Sequence, residues 1–225
     1  VWTTIPSLAM AVLVAIGLKA WFNMTDPAPK GAMQIEIVGK QFNWISRYPG
    51  PDGVLGKRYF TNINNKDNIL GLDWKDQKNM DDIIVPNGEL RLIKDKPVEL
   101  LIGSRDVIHD VGLSHFRMKM DAVPGTPTTM WFTPKYTTAE MKEITKNPNF
   151  VYEISCDQMC GNGHYSMKGT VEVVTQAQYD AWMAKQQSAY SKLSPKEEVK
   201  PAIADTTKPA IAAVSVANKP IAKNN

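Results

Sequence analysis

A chain of 225 residues has room for one domain of ordinary size plus appendages, since a single core is built from roughly 100–200 residues. A formal net charge of +3 is too small to point to nucleic acid, and much of the basic excess lies in a lysine-bearing C-terminal stretch that reads as a solvated segment. Two cysteines, Cys156 and Cys160, exclude a disulfide framework, and no nucleophile with its base, acid–base pair or phosphate loop marks the chain as an enzyme on its own.

Taken in order, Ile5 to Phe22 is nearly all apolar and flanked by Trp2 and Trp21. About 20 such residues span a bilayer, tryptophans suit its two interfaces, and Lys19 sits where its ammonium can snorkel. A cleaved signal peptide would want a basic start and a small-residue cleavage site, which Val1-Trp2-Thr3-Thr4 does not offer. Residues 1–24 are therefore expected to form a transmembrane helix. Pro27, Pro29 and Gly31 break it and open a linker over 25–32.

From Met33 the period changes to two. Gln34-Ile35-Glu36-Ile37, Glu89-Leu90-Arg91-Leu92 and Thr170-Val171-Glu172-Val173-Val174 alternate as strands do, with turn clusters such as Tyr48-Pro49-Gly50-Pro51-Asp52-Gly53 and Pro86-Asn87-Gly88 between them. Residues 33–175 thus predict an all-β sandwich or barrel. An Ala/Gln/Lys-rich stretch with Tyr179 and Trp182 predicts a helical appendage over 176–190, and recurring prolines predict a disordered tail over 191–225.

The chemistry concentrates in Cys156-Asp157-Gln158-Met159-Cys160-Gly161-Asn162-Gly163-His164-Tyr165-Ser166-Met167, four soft ligands in one short loop. Thiolate, imidazole and thioether match a polarisable metal, copper before the hard cations. One loop cannot complete a shell. Of the two other histidines, His109 is the better candidate, because it ends the strand-like run from Val98 through a short turn, whereas His115 suits a surface or supporting role. A zinc site would want a His pair spaced by three to five residues, and a Cys156–Cys160 disulfide is the other alternative.

Cys156-x3-Cys160-x3-His164-x2-Met167, with Asp106-Val107-Ile108-His109, Asp121-Ala122-Val123-Pro124-Gly125 and Gly39-Lys40-Gln41-Phe42-Asn43-Trp44 upstream, closely resembles subunit 2 of the cytochrome c oxidases over roughly residues 1–190. The resemblance implies a cupredoxin-like Greek-key barrel carrying a dinuclear copper A centre. Cys156 and Cys160 would bridge the ions, His109 and His164 would cap them, and Met167 and the carbonyl of Gln158 would be weak axial donors. Such a chain takes electrons from cytochrome c and passes them to haem in catalytic subunit 1, where oxygen reduction is coupled to proton pumping. It implies an integral subunit of a respiratory membrane, the bacterial inner membrane, in contact with lipid and the other oxidase subunits, with the copper domain on the periplasmic side.

Several departures qualify the likeness. The family has two N-terminal helices; one is present in this sequence, which does not begin with Met, so the other is expected either to be removed by processing or to lie on a stretch not included here. Gln158 stands where many relatives carry a magnesium-binding Glu, which puts magnesium in doubt because a hard dication prefers carboxylate. Phe42 stands where many relatives place the tryptophan through which the electron enters, so Phe42 is expected to be a weaker portal, with Trp44 or a differently placed cytochrome compensating. Asp73, Asp76, Asp81 and Asp82 form an acidic cluster, either a solvated loop or a docking surface for a basic cytochrome. No Cys-x-x-Cys-His is present, so no covalent haem is expected in this chain. A quinol oxidase subunit would lack the copper ligands, nitrous oxide reductase would lack the span, and a blue-copper protein would use one cysteine.

Overall fold

The computed structural model describes residues 1–193, so all but the first three residues of the expected tail lie outside the described residues. Helix α1 covers Thr4–Thr25, with Lys19 its one charged side chain. It stops at Asp26 because the following Pro27 disfavours helical backbone in the residue before it; Asp26 has ψ 149°. None of its side chains is buried within this chain. A helix apolar on every side, with nothing covering it, needs lipid or other helices around it.

The domain is an all-β sandwich, as the period-two stretches predict. One sheet runs β3 (Ile83–Val85), β2 (Asn43–Tyr48), β1 (Met33–Lys40), β5 (Val98–Ser104), β8 (Thr128–Phe132). The other runs β4 (Glu89–Ile93), β10 (Lys168–Val174), β9 (Tyr152–Cys156), β6 (His109–Leu113), β7 (Met118–Ala122). β1 pairs parallel with β5, and β10 parallel with β4, while the remaining ladders are antiparallel. Ile35, Ile37, Leu100 and Ile102 of the first sheet meet Leu90, Leu92, Val111, Val171 and Val173 of the second in one core. Each such side chain contributes about 1.5–3 kcal/mol by leaving water.

Strand β1 is buried on both faces, which simple alternation does not explain. The long β2–β3 connection folds back over the outer face of its sheet, where Leu70 and Leu72 cover Val38 and Ile45. Arg47 anchors that connection. Its guanidinium donates to Glu36 at 2.8 Å, to Asp82 at 2.5 Å, and to the carbonyl of Gly56 and the amide oxygen of Asn79, both at 2.7 Å. Helix α2 (Thr138–Ile144) begins with a capping box from Thr137 and Glu140. The expected appendage is two helices, α3 (Gln176–Met183) and α4 (Ala189–Leu193), so helix continues past residue 190. Tyr179 and Trp182 both pack on the ring of Tyr48.

Candidate metal centre

The soft ligands converge at the end of the sandwich where β9 stops. Cys156 is the last residue of β9, and the loop then turns back through Cys160 and His164 to Met167, whose carbonyl accepts the Cys156 amide at 3.1 Å. His109 arrives from the neighbouring strand. It opens β6 instead of ending the preceding strand, because β5 stops at Ser104 and residues 105–108 form the turn between them.

The donors fall into two matched halves. The Cys156 sulfur lies 3.7 Å from His109 Nδ1 and 3.1 Å from the Gln158 carbonyl oxygen; the Cys160 sulfur lies 3.6 Å from His164 Nδ1 and 3.8 Å from the Met167 sulfur. The two sulfurs are 3.7 Å apart, and both cysteines are free thiols, which sets the disulfide alternative aside. Donors at about 2.0–2.3 Å from a metal, separated by tetrahedral angles, stand about 3.3–3.8 Å from one another, so these spacings suit shared coordination shells. The donor atoms of His109, Cys156 and Cys160 all lie within 4.8 Å of one another. Burial and the adjacent Cys156 thiol push the Cys160 thiol up to about 11, so it becomes a thiolate only when a cation displaces its proton.

Groups that sequence reasoning did not assign hold this set in place. Asp106 Oδ1 is 2.8 Å from His109 Nε2, and Asp106 Oδ2 accepts the Gln41 amide at 2.8 Å. A ring that donates from Nε2 presents the Nδ1 lone pair towards Cys156. Gln41 Nε2 in turn donates to the Cys160 carbonyl at 2.6 Å. Gly39 leaves space for the imidazole: a Cβ there would stand 2.6 Å from His109 Cδ2. The general need of a ligating imidazole for a partner was the available signal for Asp106, but not for Gln41 or Gly39.

Phe42 is 38% exposed, and its ring lies on the backbone of Gly161 and Gly163; a Cβ on Gly163 would overlap that ring. Trp44 corrects an expectation. At 1% exposure its indole lies inside, 6.0 Å from the His109 ring, because alternation in β2 turns it to the core, so it cannot touch a donor protein directly. His115 is exposed and edge-on to Phe150 and Tyr152, the latter at the opposite end of β9 from Cys156.

The acidic cluster is also corrected in part. Asp82 is fully buried against Arg47, and burial lifts it to about 6 although the guanidinium opposes this, so it offers nothing to a surface. Asp73, Asp76 and Asp81 are partly exposed but accept the amides of Lys75, Lys57 and Asp52 respectively, bonds that shape their own loop.

A family model described as the periplasmic domain of cytochrome c oxidase subunit II matches residues 33–174. An alternative cytochrome c oxidase subunit 2 of Bradyrhizobium diazoefficiens is 35% identical over 192 residues, covering 85% of this chain and 64% of the relative. A cytochrome c oxidase subunit 2 of Thermostichus vulcanus is 27% identical over 181 residues, covering 80% of this chain and 41% of the relative. The chain thus spans less than two thirds of the length of these curated relatives. Among solved structures, the periplasmic domain of subunit II of cytochrome oxidase of Bradyrhizobium japonicum aligns with TM-score 0.47 and 23% identity, over 70% of this chain and 95% of that one. With a match spanning the whole sandwich, the chain belongs to the cytochrome c oxidase subunit II family.

Proposed function

We propose that this chain accepts single electrons from a cytochrome c at a dinuclear copper centre and hands them to haem in a catalytic subunit, which reduces oxygen and pumps protons. The observation that carries the reading is the paired donor set: His109 and Gln158 beside Cys156, His164 and Met167 beside Cys160, with the two sulfurs adjacent. Such a set fits two ions sharing two thiolates better than one ion, because two imidazoles at opposite ends leave each sulfur common to both halves. When bound, the copper pair supplies a one-electron couple whose charge is spread over both ions, so that bond lengths change little on reduction.

The chain's own residues do the rest. Asp106 fixes the His109 ring, Gln41 fixes the loop carbonyl, and burial of His109, Cys156 and Met167 keeps water from the donors. Phe42 covers the loop from outside and is the surface group through which the electron enters, with Trp44 behind it. With α1 in the respiratory membrane, the domain stands on the periplasmic side.

Electron paramagnetic resonance of the copper-loaded chain tests this. Seven hyperfine lines are expected from one spin over two copper nuclei; four lines would mean mononuclear copper and refute the reading. Cys160→Ser should abolish the seven-line signal, whereas Met167→Leu should keep it with a shifted potential, because the thioether is a weak axial donor.

A further inference from the structure

We propose that the seam between α1 and strands β7 and β8 holds the phosphodiester headgroup of a membrane phospholipid. The seam encloses a cavity of about 700 Å³, walled by Trp21 and Met24 of α1 on one side and by Arg117, Lys119, Met120 and Trp131 of the domain on the other. The Trp131 indole donates to the carbonyl of Asp26 at 2.6 Å, tying the last turn of the helix to the sheet.

Depth decides the occupant. The 22 residues of α1 rise about 33 Å, against a hydrocarbon core of about 30 Å, so its last turn stands among headgroups. A cavity walled by that turn lies at the level of lipid phosphates. Its composition suits them: two indoles, as at membrane interfaces, two cations, and a floor of thioethers that includes Met118 and Met130. Arg117 has no ion-pair or side-chain hydrogen-bond partner among the described residues, and it occupies left-handed backbone, φ 56°, at the turn before β7. Such a conformation in an unpartnered arginine is the kind that binding sites retain. Lys119, 62% exposed, is 3.3 Å from the buried Asp110, a partner it would have to share with a phosphate. Two carboxylates also face the cavity, Glu99, which accepts from Gln34 at 2.9 Å, and Asp26 just past the helix, so a phosphodiester binds by drawing the two cations towards itself and away from them. The proposal is independent of the copper reading.

The test uses the purified oxidase containing the full chain, followed by native mass spectrometry. The wild-type complex should retain one more phospholipid than the Arg117→Asn/Lys119→Gln double variant. Asparagine accepts left-handed backbone and so preserves the turn. On back-titration with phosphatidylglycerol, affinity should fall about fivefold for each cation removed, the effect of about 1 kcal/mol per basic residue at a membrane surface. Copper and haem spectra should not change. If the double variant does not refold normally, Lys119→Gln alone, at an exposed strand position, should still give the fivefold loss. Equal lipid retention would overturn the proposal. So would displacement of the lipid by millimolar inorganic phosphate, which would mean a free-anion site, or cross-linking of photo-methionine at position 120 to protein instead of lipid, which would mean a subunit wall.

Discussion

His109 is fixed on two sides, by a carboxylate three residues before it and by a glycine of another strand, and both make predictions. Asp106 engages Nε2 at 2.8 Å, so Asp106→Ala frees the ring to rotate; metal affinity should fall about 10–100-fold in competition with a chromophoric chelator. Gly39→Ala would place a methyl group 2.6 Å from the imidazole and push it from Cys156; metal content should drop while far-ultraviolet circular dichroism keeps its β-sheet form. Unchanged copper content in Gly39→Ala would show that the ring has room to give. Cys156, Cys160, His164 and Met167 were legible in sequence as candidates because their donor chemistry is rare and closely spaced, whereas His109, 47 residues before Cys156, stood out only as the histidine that follows a strand-like run. Asp106 was visible only as part of a motif. Gly39 was not interpretable, because its role depends on the stacking of β1 over the start of β6, which no local pattern encodes.

At the scale of elements, the strands were legible wherever one face meets solvent, as in β4, whose alternating Glu89-Leu90-Arg91-Leu92 is half buried and half not. β1 shows why the rest was not. Its burial on both faces comes from the β2–β3 connection, and the polar run from Asp73 to Asp82 gives no sign that Asp82 is turned inward to meet an arginine 35 positions earlier. That pairing makes Asp82 a structural residue. Removing one member of a buried ion pair leaves the other charge without its partner, so Asp82→Ala should cost about 3–5 kcal/mol in urea unfolding. Asp76→Ala, at a partly exposed position that carries no buried ion pair, should cost clearly less. Similar losses in the two variants would mean that Arg47 is satisfied by Glu36 and Asn79 alone.

For the whole molecule, the proposed function turns on which end of the sandwich would meet an electron donor. Gly39 pairs with Trp44 at the metal end of the β1–β2 ladder, whereas Glu36 pairs with Arg47 three residues away, about 10 Å along the strands. Asp73, Asp76 and Asp81 gather near Arg47, which Asn79 links to the Asp73 carbonyl, so they stand away from the candidate metal ligands. The surface at the metal end carries apolar groups instead: Phe42, Ile108, Met159 and Tyr165 are all exposed, among polar neighbours such as Asp157 and Asn162, around the loops that carry His109 and the cysteines. Electron tunnelling weakens steeply with distance, so a donor landing on the aspartates would sit too far from the metal to compete with one landing on Phe42. Neutralising Asp73 and Asp76 together should therefore leave both the rate of reduction by cytochrome c and its salt dependence unchanged. Phe42→Ala should slow reduction several-fold at every ionic strength while copper content stays normal, because the ring bridges the outer surface to Gly161 and Gly163. Stopped-flow reduction of the loaded domain at 20 and 200 mM salt, where the Debye length is about 21 and about 7 Å, separates the two. A salt slope that flattens in the aspartate variant, with Phe42→Ala behaving as wild type, would return the docking site to the acidic loop and move the point of electron transfer away from the metal end's apolar face.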